Sequence, residues 1–84
     1  MTIQEDWALP MARIVEYLQG FEQARRLSET HFEIGGCELC LQPLEDRKIG
    51  NYAFPRTLVT FSGEKREVES LHRKFMLRFL TLGG

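Results

Sequence analysis

The chain is poor in most of the residues that would announce a specialised class. It has two cysteines in 84 residues, too few for a disulfide scaffold, so nothing in it requires an oxidising compartment. No apolar run approaches the ~20 residues of a membrane-spanning helix. Neither sign of charge dominates: 11 basic against 12 acidic side chains leave a net charge of −1, which excludes a general electrostatic pull towards nucleic acid. Histidine is limited to His31 and His72. Residues 1–6 are polar and acidic, the reverse of a signal peptide. These absences predict a cytoplasmic protein with no membrane segment and no resident cofactor.

What is present suits a small folded unit. A hydrophobic fraction of 43% is too rich for disorder and matches one domain, residues 1–84, with one small core. The charge is unevenly spread. Residues 1–42 carry three basic and seven acidic side chains, and residues 43–84 carry eight and five, which predicts a dipolar surface.

The sharpest structural signal surrounds Gly35-Gly36. Phe32 and Ile34 are apolar at even positions, whereas Cys37, Leu39 and Leu41 are apolar at odd positions. One straight strand cannot bury both sets, because side chains change face at every residue. A two-residue turn at Gly35-Gly36 repairs the parity by placing Ile34 opposite Cys37 and Phe32 opposite Leu39, and glycine suits the positive φ of such a turn. His31, Glu33, Glu38, Cys40 and Gln42 then form a solvent face, with Glu33 unfavourably opposite Glu38. A bulged continuous strand is the alternative.

The same stretch contains Cys37-x-x-Cys40, a spacing that can hold zinc or cycle as a dithiol. Both uses need a turn or a helix start. On an extended strand the two Cα atoms lie about 10 Å apart with side chains on opposite faces. His31 and His72 are the only histidines that could complete a zinc site with Cys37 and Cys40. The hairpin is the preferred reading, and the zinc-binding or thiol-active module is its alternative.

Along the rest of the chain, residues 1–8 read as a loose lead-in from which Trp7 docks on the core. Pro10 suits a first helical turn. Met11, Ile14, Val15, Leu18 and Phe21 follow at helical spacing, giving a first helix to about residue 27. Pro43 is expected to end the second strand, and residues 44–53, charged and carrying a Gly-Asn turn signal, to form an exposed loop. Residues 56–62 alternate as a third strand. Val68, Leu71, Phe75 and Phe79 stripe a second helix over residues 64–80. The expected fold is therefore α+β: a three-stranded antiparallel meander with two helices packed on one face, in the order α-β-β-β-α.

That element order is also the order of double-stranded RNA-binding domains, but Lys65-Arg66 is flanked by Glu64, Glu67 and Glu69, so nucleic acid is disfavoured as a partner. The terminal Gly83-Gly84 resembles the end of ubiquitin-like and sulfur-carrier proteins, whose exposed C-terminal carboxylate is activated. Those proteins begin with a hairpin and end in a strand, whereas helices are expected here at both ends, and two glycines after a helix form a simple cap. For catalysis, Cys40 beside His31 is the one nucleophile–base pair, on an open face without an oxyanion hole, so no enzyme is expected.

Helix 2 has more apolar residues than one core face requires. Met76, Leu77 and Leu80, beside Arg73 and Arg78, lie roughly 80–180° from Val68 round the helix and form a candidate partner interface. The first functional expectation is a small non-catalytic protein–protein interaction or regulatory module, as a subunit or homodimer. The metal or thiol module is second and an RNA-binding domain third.

Overall fold

The computed structural model describes residues 1–83, with side chains through Phe79. Strands β1 (Thr2–Trp7), β2 (Ala24–Arg26), β3 (His31–Ile34), β4 (Cys37–Ile49) and β5 (Tyr52–Gly63) form one antiparallel sheet in the order β1-β5-β4-β3-β2. Helix α1 (Met11–Leu18) follows β1, and α2 (Lys65–Gly83) follows β5. The class is α+β, but the sheet has five strands rather than three, and the element order is β-α-β-β-β-β-α. This is not the element order of double-stranded RNA-binding domains.

The hairpin about Gly35-Gly36 has the register that its parity requires: Ile34 faces Cys37, Phe32 faces Leu39, and Glu33 faces Glu38. Gly35 supplies a positive φ of 57°. Four other expectations fail. Residues 1–8 are not a loose lead-in, because β1 pairs with β5 from Thr2↔Ser62 to Trp7↔Thr57. Its inward row is Ile3, Glu5 and Trp7, and Glu5 is accepted there by pairing with His72 of α2.

The first helix stops at Leu18 rather than near residue 27. The chain then folds through short turns, with Gly20 N–H donating to Tyr17 C=O at 3.1 Å and Ala24 N–H to Phe21 C=O at 3.2 Å. Beyond Phe21 the apolar period decays, and residues 24–26 gain more by pairing with β3, where Arg25 meets Glu33 at 3.1 Å. Pro43 does not end β4, which continues through it. At that point β3 has run out, so β4 is an edge on that side and the missing donor costs nothing.

Residues 44–53 are accordingly not a loop. They are the outer part of the β4–β5 hairpin, closed by Gly50-Asn51 between Ile49 and Tyr52, with Gly50 at φ 61°. Between Leu44↔Arg56 and Arg47↔Phe54 the register shifts, so Glu45 and Asp46 oppose Pro55 alone. This β-bulge adds one residue to β4 and inverts its side-chain parity beyond the bulge.

Both helices cover one face of the sheet. Ile14 and Leu18 of α1 and Val68, Leu71, Phe75 and Phe79 of α2 pack on Phe32, Leu39, Leu41, Val59 and Phe61 as one cluster. Aromatic edges join its layers: Phe75 meets Phe61 at 5.2 Å and Tyr17 at 5.1 Å, and Trp7 meets Phe79 at 5.8 Å. Among the described residues Thr57 is the buried polar exception and donates from its hydroxyl to Leu9 C=O at 2.7 Å.

The tightest backbone approach lies where β5 gives way to α2. Gly63 has φ 141°, and a Cβ there would sit 2.2 Å from the Gly36 carbonyl oxygen. Gly63→Ala should therefore lower stability by about 2 kcal/mol or more, a fall in Tm of roughly 10 °C for a domain of this size. Thermal unfolding followed by circular dichroism measures it, with Gly50→Ala, whose surroundings are open, as the milder comparison.

Candidate functional site

The hairpin separates the residues that a Cys-x-x-Cys site would need to join. Cys37 points into the core and is 1% exposed, whereas Cys40 is exposed on the other face. Burial pushes the Cys37 thiol above its ordinary pKa. The Ser62 backbone opposes that shift, and Glu67 and Glu38 add to it. His31 sits opposite Cys40 in the β3–β4 register, and its Nε2 lies 3.3 Å from Glu38. His72 is on the helical side, paired with Glu5 and edge-on to Phe61 at 5.4 Å. Cys37, Cys40, His31 and His72 are therefore not brought together. Among the described residues no group of three or more His, Cys, Asp or Glu side chains is arranged around a metal position.

The residues expected on the outer side of α2 are divided as well. Met76 packs partly against the core. Leu77 is 65% exposed, beside exposed Arg73. The Arg78 guanidinium lies over the Tyr17 ring at 5.9 Å. The Leu80 side chain lies outside the described residues, as does Gly84, while α2 continues to Gly83. With a strand and then a helix first and a helix last, the described chain departs at both ends from the hairpin-first, strand-last order of ubiquitin-like proteins.

A further exposed apolar surface lies elsewhere, and the sequence reading missed it. Among the described residues no element covers the second face of the sheet. Near the Gly35-Gly36 turn that face is polar and internally paired, by Arg25–Glu33, His31–Glu38 and a 3.1 Å hydrogen bond from the Gln4 amide to the Thr60 hydroxyl. Its other end is built by the β4–β5 arm. Ile49 faces Tyr52 and Arg47 faces Phe54 across the arm. Tyr52 and Phe54, two residues apart on β5, stand with ring centroids 6.4 Å apart. Tyr52 is 72% exposed, Ile49 56% and Phe54 43%.

The bulge at Glu45 and Asp46 makes this arrangement. Before it, the odd positions of β4 face the helices; after it, Arg47 and Ile49 turn to the uncovered face and join Phe54. At the base of the arm Arg56 forms a two-contact ion pair with Asp6 of β1, at 2.9 and 3.1 Å to the same carboxylate oxygen. Asp6, Ala8, Arg47, Ile49, Phe54 and Arg56 line a shallow depression of about 300 Å³. The available sequence signal was the repeat of the first hairpin's logic: apolar residues symmetric about a two-residue turn, Ile49 and Tyr52 about Gly50-Asn51.

Fold and surface together define a small α+β module with one helix-covered sheet face and one face left open. The chain belongs to the archaeal MoaD-like protein family, whose model it matches over residues 5–84. No curated protein gives a significant match. No helix among the described residues is long and apolar enough to cross a membrane.

The placement of the thiols has a measurable consequence. Iodoacetamide should modify Cys40 in the folded protein and spare Cys37, which becomes reactive only on unfolding; mass spectrometry of native and denatured samples reads both. Cys40→Ser should leave Tm within about 2 °C of wild type, while Cys37→Ser puts a hydroxyl into the core and should cost about 1–3 kcal/mol.

Proposed function

We propose that this chain works by protein–protein contact, as a non-catalytic interaction or regulatory module in the cytoplasm that acts as a subunit of a complex or as a homo-oligomer. One observation supports the reading above the rest: Ile49, Tyr52 and Phe54 stand exposed together on a sheet face that nothing in the described chain covers. Apolar and aromatic anchors beside arginine are the composition of interface centres. The arm that carries them extends past β1 and β3 and takes little part in the core, so its sequence is released from the demands of folding. A second contact surface in the same reading is the outer side of α2, where Arg73, Leu77 and Arg78 adjoin Met76.

The test is reconstitution from purified components. Proteins captured by the immobilised chain are identified, produced separately and titrated against it by calorimetry, alongside dilution of the chain alone. A stoichiometric complex, or self-association, weakened about tenfold or more by Tyr52→Ala or by Leu77→Glu is the expected result. Failure of any purified protein, including a second copy, to form a complex overturns the reading.

A further inference from the structure

The alternation of the ladder shows which backbone groups each sheet edge leaves open. The Met1 amine donates to Gly63 C=O at 2.9 Å, and Gly63 N–H donates to Met1 C=O at 3.1 Å. Bonded pairs recur at every second residue of an antiparallel ladder, so Ile3↔Phe61, Glu5↔Val59 and Trp7↔Thr57 are the next ones. The N–H and C=O groups of Thr2, Gln4 and Asp6 therefore point away from β5, along the free edge of β1. All three residues are exposed.

The other edges are closed. β2 is three residues long. On β4, Leu41 N–H donates away from β5 to Thr30 C=O at 2.8 Å. Pro43 is the next position facing that way, and the bulge at Glu45 and Asp46 breaks the edge again. On β5, Gly63 N–H points to β1, and by the same alternation Pro55 stands where a donor would point off the arm. Each proline thus removes an outward donor, the usual protection of an edge against further pairing. β1 holds no proline, lysine or bulge, and its six residues stay in register with β5 throughout. Among the described residues it is the long edge left intact.

We propose that β1 pairs antiparallel with β1 of a second copy, about a two-fold axis at Gln4, so that the two sheets join edge to edge. The proposal keeps to the contact reading above, rests on a different surface and names the partner. A two-fold contact must be self-complementary, and this register is. It sets Gln4 against Gln4 and Thr2 against Asp6, so every outward group of both edges is bonded. The Thr2 hydroxyl also meets the Asp6 carboxylate of the other copy as donor to acceptor. Above the edge, the pairing of His72 with Glu5 turns one side of α2 towards β1. Glu69, His72, Arg73 and Met76 line a depression of about 390 Å³ on that side. Glu69 precedes His72 by one turn, and Arg73 and Met76 follow it. With Glu5 next to the axis, the two-fold brings Glu69 of one copy alongside Arg73 and Met76 of the other. Neither Glu69 nor Arg73 forms an ion pair among the described residues. α2 packs over β5 and β4, so the two helices lie about three strand spacings apart, roughly 14 Å. That exceeds the ~8–10 Å of directly packed helices and leaves room for these side chains between them.

Sedimentation of the intact chain from about 10 µM to about 1 mM tests it, with amide hydrogen exchange on the same samples. Wild type should dimerise with concentration. Thr2, Gln4 and Asp6 amides should gain protection as it does, while Ile3, Glu5 and Trp7 are protected at every concentration. Gln4→Pro removes an outward donor at the axis and should weaken the dimer at least about tenfold, with circular dichroism unchanged. Arg73→Glu should weaken it as well, and adding Glu69→Arg to that variant should restore it. If Gln4→Pro disturbs the fold, the charge exchange decides. A wild type that stays monomeric, or whose Thr2, Gln4 and Asp6 amides ignore concentration, overturns the proposal; the contact reading stands if a heterologous complex has been reconstituted. A dimer insensitive to these variants but lost in Tyr52→Ala or Leu77→Glu overturns it and moves the contact to the open face or the outer side of α2. Protection of the three amides by a purified heterologous partner alone overturns the second copy as the occupant of this edge.

Discussion

The architecture turns on the contact between Gly63 and Gly36. β5 must finish its pairing with β4, at Cys37↔Gly63, and with β1, where Gly63 N–H donates to Met1 C=O at 3.1 Å. The chain must then leave the sheet at once and run α2 back across the core. The next residue, Glu64, donates its N–H to the Gly36 carbonyl at 3.3 Å, so the helix sets out from the very turn that defines the β3–β4 register. Any side chain at Gly63 would collide with that carbonyl. Sheet edge, sheet centre and helix are thus joined at a single peptide step, and the stripe of Val68, Leu71, Phe75 and Phe79 reaches its bed on the sheet because the helix begins there.

From that anchor the protein becomes less constrained along its length. Near the glycines, five strands and α2 are packed within a few residues. Towards the arm, β3 ends first, then β1, and residues 52–56 pair only with residues 44–49. An isolated two-stranded ribbon is marginal in water. The arm is held by its continuity with the core and by the Arg56–Asp6 pair at its base. The packed end supplies stability, and the free end can vary in surface chemistry at small energetic cost.

The parts legible in the sequence were those in which each face obeys a single environment. The Gly35-Gly36 hairpin has one buried row, and parity alone gives its register. The α2 stripe is likewise one-sided, and all four of its expected core residues are buried. What escaped was set by partners distant in sequence. β1 reads as a polar tail because its inward row includes Glu5, and the reason for that residue is His72, 67 positions away. β2 is three residues long, too short for any period, and rests on pairing with β3. The arm was hidden by the charge run Glu45 to Lys48, in which a bulge breaks the alternation that would have revealed Ile49, Tyr52 and Phe54. Met76, read as surplus to the core, finds room against it because β1 and Trp7 widen the layer that α2 covers.

The bulge also bears on how such a chain can diverge. Its extra residue is taken up opposite Pro55, so that Arg47 and Ile49 stay in step with Phe54 and Tyr52 while β5 keeps its phase throughout. Loss of either Glu45 or Asp46 would let the ladder run on without the bulge, the remaining residue opposite Pro55, and Arg47 and Ile49 would still stand beside Phe54 and Tyr52. The bulge is therefore a place where β4 can hold one residue more or fewer without changing the exposed face or altering one core residue, and related chains can differ in length there while keeping the same surface.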